Sequence, residues 1–248
     1  MIVRDGGGDW QVVLQTDHAD LSAALAHAWK DRGARHDSLA LAAERHDDGW
    51  SVWEQAPMVE PESGRPLNFL DVGVPAHLAF YRACIAAVTE QDPYAGLLVS
   101  MHGAGIYRQR YGADTGLSLS RAAEVQPLVD AFVGEQESAY PERSAAVGVD
   151  EKLRWADYHR LQWFDRFSLV FCLRDWDRPD ETEFELGTFT FSPLGPWRAK
   201  VDPYPFAGTS ASFTLLRRLV PARPWTQAEF RRDFFDIEPA LVEIELAA

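Results

Sequence analysis

The chain has 248 residues, 46% of them hydrophobic and 12% aromatic, which is enough to bury a sizeable core and too apolar for a disordered protein. Its formal net charge of −14 argues against a broad basic face for nucleic acid, because neutralisation of phosphates by Lys and Arg dominates such affinity. There is no signal-peptide run, no stretch approaches the roughly 18 to 20 apolar residues that span a bilayer, and Cys84 and Cys172 form no C-x-x-C spacing, so a cytoplasmic protein with no membrane partner is expected.

In chain order, residues 1 to 16 read as a hairpin around the turn Asp5-Gly6-Gly7-Gly8-Asp9, which lacks the Lys-Ser/Thr of a phosphate loop. A first helix is expected from Thr16 or Asp17 to about Lys30, with His18, Leu21, Leu25 and Trp29 on one stripe. A second, from about Ser38 to Asp47, carries Leu39, Ala42 and His46 inward, with Gly49 as its C-cap residue. The Pro- and Gly-rich segment 54 to 73 reads as a loop. Pro75 opens a third helix with His77, Tyr81, Cys84 and Val88 on one face. Residues 94 to 107 suggest a fourth, bearing Leu98, Met101 and His102, although Gly96, Gly103 and Gly105 disfavour helix. Helices are expected again over 120 to 140, where Pro127 kinks or starts a piece, and over about 150 to 173, where Asp165 shares a face with Tyr158, Leu161, Ser168 and Cys172. Beyond Leu173 the period changes to that of strands, at 184 to 192, 197 to 202, 211 to 220 and 240 to 246. The fold expected is mainly α: a helical bundle over residues 1–175, with a small C-terminal antiparallel β subdomain over 176–248 packed on it.

Chemistry concentrates on the helical stripes. Burying an unpaired carboxylate costs several kcal/mol, so Asp165 among core positions needs hydrogen bonds, an Arg or a cation. Imidazoles on apolar faces likewise want an acceptor or a metal. His18, His46 with Asp47, His77, His102 and Asp165 form an ordered set of candidate metal ligands, whereas His27, His36 and His159 have no comparable placement. Mixed imidazole and carboxylate donors suit Fe, Mn or Zn, as one or two divalent ions.

The pattern resembles the HD-domain superfamily of metal-dependent phosphohydrolases: a His on one helix (His18), a His-Asp pair ending the next (His46, Asp47) and an Asp on a later helix (Asp165). His46-Asp47-Asp48-Gly49 is similar to the His-Asp-Ile-Gly form of the motif. The chain as a whole is identified as a member of an uncharacterised bacterial family that carries only a domain-of-unknown-function label. The resemblance covers roughly residues 15 to 175 and implies an HD-like bundle that hydrolyses a small phosphate ester or nucleotide with metal-activated water. His77 and His102 would complete the dinuclear form, and Asp48 would orient a ligand or the water. One departure is Trp50, which stands where many hydrolytic members have Lys. Phosphate contact would then pass to Arg108 and Arg110, and Trp29, Trp50 and Trp53 are the rings available to a base or sugar.

Two other readings stay open, a di-iron oxygenase on the same helical fold and a non-catalytic binding or scaffold protein. His-Glu-x-x-His, Gly-x-Ser-x-Gly and a strand-linked Gly-x-Gly-x-x-Gly are all absent. The expected partner is a small, anionic molecule, and the oligomeric state is not legible.

Overall fold

In the computed structural model, which describes residues 1–108 and 123–248, the hairpin forms as its turn predicts. Strands β1 (Ile2–Asp5) and β2 (Asp9–Val13) pair antiparallel, with Gly7 at φ 84° between them. Helices α1 (Gln15–Ala28) and α2 (His36–Arg45) follow, then a 3-10 turn, Asp48–Trp50, that runs into the short α3 (Ser51–Glu54). α4 (Val74–Gln91) has Pro75 in its first turn, where a missing N–H costs nothing. Asp92 then caps α5 (Pro93–Tyr107) by accepting from the N–H groups of Tyr94 and Ala95. Pro127 starts α6 (Gln126–Ala146) and does not kink it, and the Asp150 carboxylate caps α7 (Glu151–Leu173) by accepting from Leu153 N at 2.7 Å.

Gly49 is not a helix cap. α2 has already ended at Arg45, and a Cβ on Gly49 would press into the backbone carbonyl of Phe80 on α4. The glycines of α5 have the same explanation: a Cβ at Gly103 would meet the Tyr81 ring, and one at Gly105 the Tyr158 hydroxyl. α5 is buried on nearly every side, so its uniform apolarity marks a central core helix where a one-sided stripe was expected.

The expectation of a helical bundle with a small C-terminal antiparallel subdomain is wrong. The remaining strands, β3 (Phe184–Leu186), β4 (Phe189–Gly195), β5 (Arg198–Asp202), β6 (Ser210–Pro221) and β7 (Ala240–Ala247), join the N-terminal hairpin in one curled seven-stranded sheet of order β1-β2-β6-β7-β5-β4-β3. The sheet is mixed, because β5 and β7 run parallel with Arg198 opposite Glu245. Its span follows from the length of β6. Residues 210–217 pair with β7, and the four beyond them, Arg218 to Pro221, pair with β2. A two-stranded hairpin is marginal alone, and an unpaired strand end is a liability, so each completes the other. A further helix, α8 (Gln227–Asp233), capped by Thr226, lies between β6 and β7 in sequence and was not anticipated.

Helices and sheet share one core. Trp29, just past α1, packs edge-to-face against Phe164 and Phe167 of α7, Phe189 of β4, and Phe206. Gln11 on β2 donates to the carbonyl of Cys172 at 3.2 Å, tying the hairpin to the end of α7. These contacts fix α1 and α7 side by side, the arrangement on which the site depends.

Candidate metal centre

His18 lies one turn into α1, His46 directly follows α2, Asp47 is the next residue, and Asp165 sits on α7 one turn before Ser168. All four are 5% exposed or less. The helical stripes thus bring them to one point. His18 Nε2 lies 3.2 Å from His46 Nε2, 3.1 Å from Asp165 Oδ1 and 3.6 Å from Asp47 Oδ2. His46 Nε2 lies 3.5 Å from Asp47 Oδ2 and 3.6 Å from Asp165 Oδ1. Two ligands on one ion with bonds of about 2.0–2.2 Å stand roughly 3.0 Å apart at right angles and about 3.5 Å apart at the tetrahedral angle. The five separations, 3.1 to 3.6 Å, match that interval to within about 0.1 Å, and His18, His46 and Asp165 form one ligand-sized triad.

The far side of each imidazole fixes which nitrogen faces inward. His46 Nδ1 lies 2.8 Å from the carbonyl of Ala43, to which only an N–H can donate, so in the neutral ring Nε2 carries a lone pair. Ser168 Oγ donates to the carbonyl of Asp165 at 2.7 Å, accepts from Ser22 Oγ at 2.9 Å and lies 2.5 Å from His18 Nδ1, placed to accept from an N–H there. His18 Nε2 is thereby left facing the centre. With Nδ1 of each ring engaged outward, the two Nε2 atoms are left to the centre: protonated, they donate to the carboxylates, and deprotonated, they offer lone pairs to an ion, and such oriented outer hydrogen bonds are what metal-ligating histidines carry.

The electrostatics agree that the cluster favours positive charge at its middle. Burial alone would lower the His46 pKa, but the charge of Asp47 and the hydrogen bond with Asp165 outweigh it and lift the group to about 9. Burial would raise Asp165, yet its bonds with His18 and His46 hold it well below the usual carboxylate range.

The other predicted ligands lie beside this group. Burial pushes His102 down to about 4, and His46 pushes the same way. Its Nε2 is 3.4 Å from the Tyr81 hydroxyl, which itself donates to Asp47 Oδ1 at 3.0 Å. His46, Asp47 and His102 form a second ligand-sized triad. However, that triad reuses the single free nitrogen of His46, and a neutral imidazole nitrogen serves one ion. His77, also lowered to about 4 by burial, has its Nδ1 within 2.6 Å of the Tyr107 hydroxyl, and its ring packs edge-on to Tyr81.

A narrow cleft of about 50 Å³ opens onto the centre. Gln15, His18, Asp47, His77, Tyr81 and Asp165 give it a buried polar floor. Trp50 and the less buried Phe69, Leu70, Ile106 and Leu169 supply apolar wall. Trp50 is thus a lining residue, whereas Trp29 belongs to the core. Asp48 does not line the cleft: its carboxylate accepts from Arg45 at 2.9 Å on the surface. Arg108 is exposed and pairs with Glu137 at 2.7 Å, and Arg110 lies outside the described residues. Gln15 escaped the sequence reading because a glutamine opening a helix looks like a solvated residue. The available signal was its spacing of three from His18.

Among the described residues, no helix is long and apolar enough to cross a membrane. No curated protein and no solved structure matches the chain. The family model described as "Protein of unknown function (DUF3891)" matches residues 1–222, and the chain belongs to that family.

Proposed function

We propose that this protein is a metal-dependent hydrolase of a small phosphate ester or nucleotide, with a single-ion centre of the HD type held by His18, His46, Asp47 and Asp165. The observation that carries the reading is that His18 Nε2 and His46 Nε2 lie 3.2 Å apart and that each lies 3.1 to 3.6 Å from an oxygen of Asp165 and from one of Asp47. The donor set suits Fe, Mn or Zn, and such an ion would supply Lewis acidity and ease deprotonation of water near neutral pH.

The chain's own residues supply the rest. Ser168 and the Ala43 carbonyl hold the two imidazoles in the ligating tautomer. Tyr81 holds the outer oxygen of Asp47, leaving Oδ2 directed at the centre. His77, neutral at pH 7 because burial disfavours its charged form, places a polar ring at the cleft floor, while the apolar wall limits access of bulk water. Hydrolysis then joins a water oxygen to phosphorus and breaks the phosphorus–oxygen bond to the leaving group, whose oxygen takes up a proton. The oxygenase alternative needs two ions, and with His46 offering one nitrogen, the second ion would have to rely on Asp47 Oδ1, His102 and His77 around the Tyr81 hydroxyl.

The test is phosphate release from a panel of monoesters and nucleotides by protein stripped with chelator and reloaded with Mn, Fe or Zn, with and without O₂. Release that depends on metal and not on O₂ is expected. Turnover that requires O₂, or loaded protein that releases no phosphate from any substrate, overturns the reading.

A further inference from the structure

Hydrolysis at the centre leaves open what holds the part of the substrate that does not react, and the cleft walls bear on this. Gln15 opens α1 one turn before His18, so the two side chains leave the helix on the same face. It is 3% exposed and lines the cleft, and its backbone N–H is pinned by Glu54 Oε1 at 2.8 Å. Its side-chain amide carries two N–H donors, from which a phosphate oxygen at the cleft floor can accept. Beyond the polar floor the wall is apolar, and none of the described residues lining it is Lys or Arg. A di- or triphosphate would surrender its hydration there without a cationic side chain in return. A molecule with one compact polar end and a flat apolar body would instead pack on Trp50, Phe69 and Leu70 while its polar end meets the floor.

We propose that the centre acts on a phosphomonoester of an apolar or aromatic alcohol, oriented by the Gln15 amide, in preference to a polyphosphate; this rests on the hydrolase reading. Water oxygen bonds to phosphorus, the bond from phosphorus to the aryl or alkyl oxygen breaks with its electron pair, and that oxygen takes a proton from solvent, giving phosphate and the free alcohol.

Two measurements on the Mn-loaded full-length chain separate this from the reading beneath it: calorimetric titration with phenylphosphonate and with methylphosphonate, and hydrolysis of phenyl phosphate against ATP. Phenylphosphonate should bind at least tenfold more tightly than methylphosphonate, and phenyl phosphate should have the higher kcat/KM. Gln15→Leu should weaken phenylphosphonate at least fivefold with Mn content unchanged. Gln15→Glu, which adds a negative charge at the same place, should weaken it further. Equal affinity for the two phosphonates, a preference for ATP, or unchanged binding in both Gln15 variants overturns the proposal. Tight phenylphosphonate binding without hydrolysis of any ester would overturn the hydrolase reading and leave the pocket preference standing.

Discussion

Replacing Ser168 by Ala should loosen the metal without unfolding the protein. Ser168 is fully buried, and its hydroxyl lies 2.5 Å from His18 Nδ1, placed to accept from an N–H there and so keep the proton of His18 on that nitrogen. Without it, the buried N–H loses its partner and the imidazole is free to turn or to move its proton to Nε2, the nitrogen the centre needs. Loss of such an outer partner costs about 10–100-fold in metal affinity, equivalent to roughly 1.4–2.8 kcal/mol. The same change removes a buried hydrogen bond worth about 1 kcal/mol of stability, so a control of equal burial is needed. Ser100 on α5 provides it, since it is also fully buried but donates to Gln136 at 2.9 Å. Competition titrations with a chelator of known affinity should show Ser168→Ala weakened by one to two decades and Ser100→Ala unchanged, with both variants folded by circular dichroism. Equal metal affinities in the two variants would refute the argument that the Ser168 hydroxyl sets the tautomer of His18.

Other consequences concern packing and electrostatics. Gly49→Ala should destabilise by about 1–3 kcal/mol in urea denaturation, because the new methyl group meets the Phe80 carbonyl, and should lower metal content by displacing the neighbouring Asp47. Saturating the centre at 100 times the dissociation constant should add about 2.7 kcal/mol to the unfolding free energy, a Tm rise of very roughly 5–10 °C that His46→Ala abolishes. Asp177 accepts two bonds from Arg217 and one from Trp197, and Arg217 in particular holds its pKa down. A depressed carboxylate stabilises above its unfolded pKa of about 4 and loses that contribution as pH falls through its folded value. Wild type should therefore be the more stable at neutral pH, lose stability more steeply than Asp177→Asn below about pH 4, and converge with it in strong acid. Parallel acid-unfolding curves would contradict this.

The local elements were legible because their signals are local. Apolar spacing and Pro at first turns marked the helices, and the stripes carrying His18, His46 and Asp165 pointed to the place where the folded chain joins them. The unity of the sheet was not legible. It depends on Trp10 meeting Val220, two segments far apart in the chain, and nothing within either strand names the other. Asp47 and Asp48 look equivalent in sequence, yet the turn after α2 sends the first inward and leaves the second with Arg45. The glycines of α5 weaken a helix by propensity alone, and only the neighbouring side chains of Tyr81 and Tyr158 reveal why they are there.

The central claim is that four side chains hold one metal ion, and elemental analysis of the purified protein by ICP-MS tests it most directly. After reconstitution, wild type should carry close to one equivalent of Fe, Mn or Zn, and His46→Ala and Asp165→Ala should lose it while remaining folded. Wild type that holds no metal after reconstitution, or folded variants that keep a full equivalent, would contradict the account.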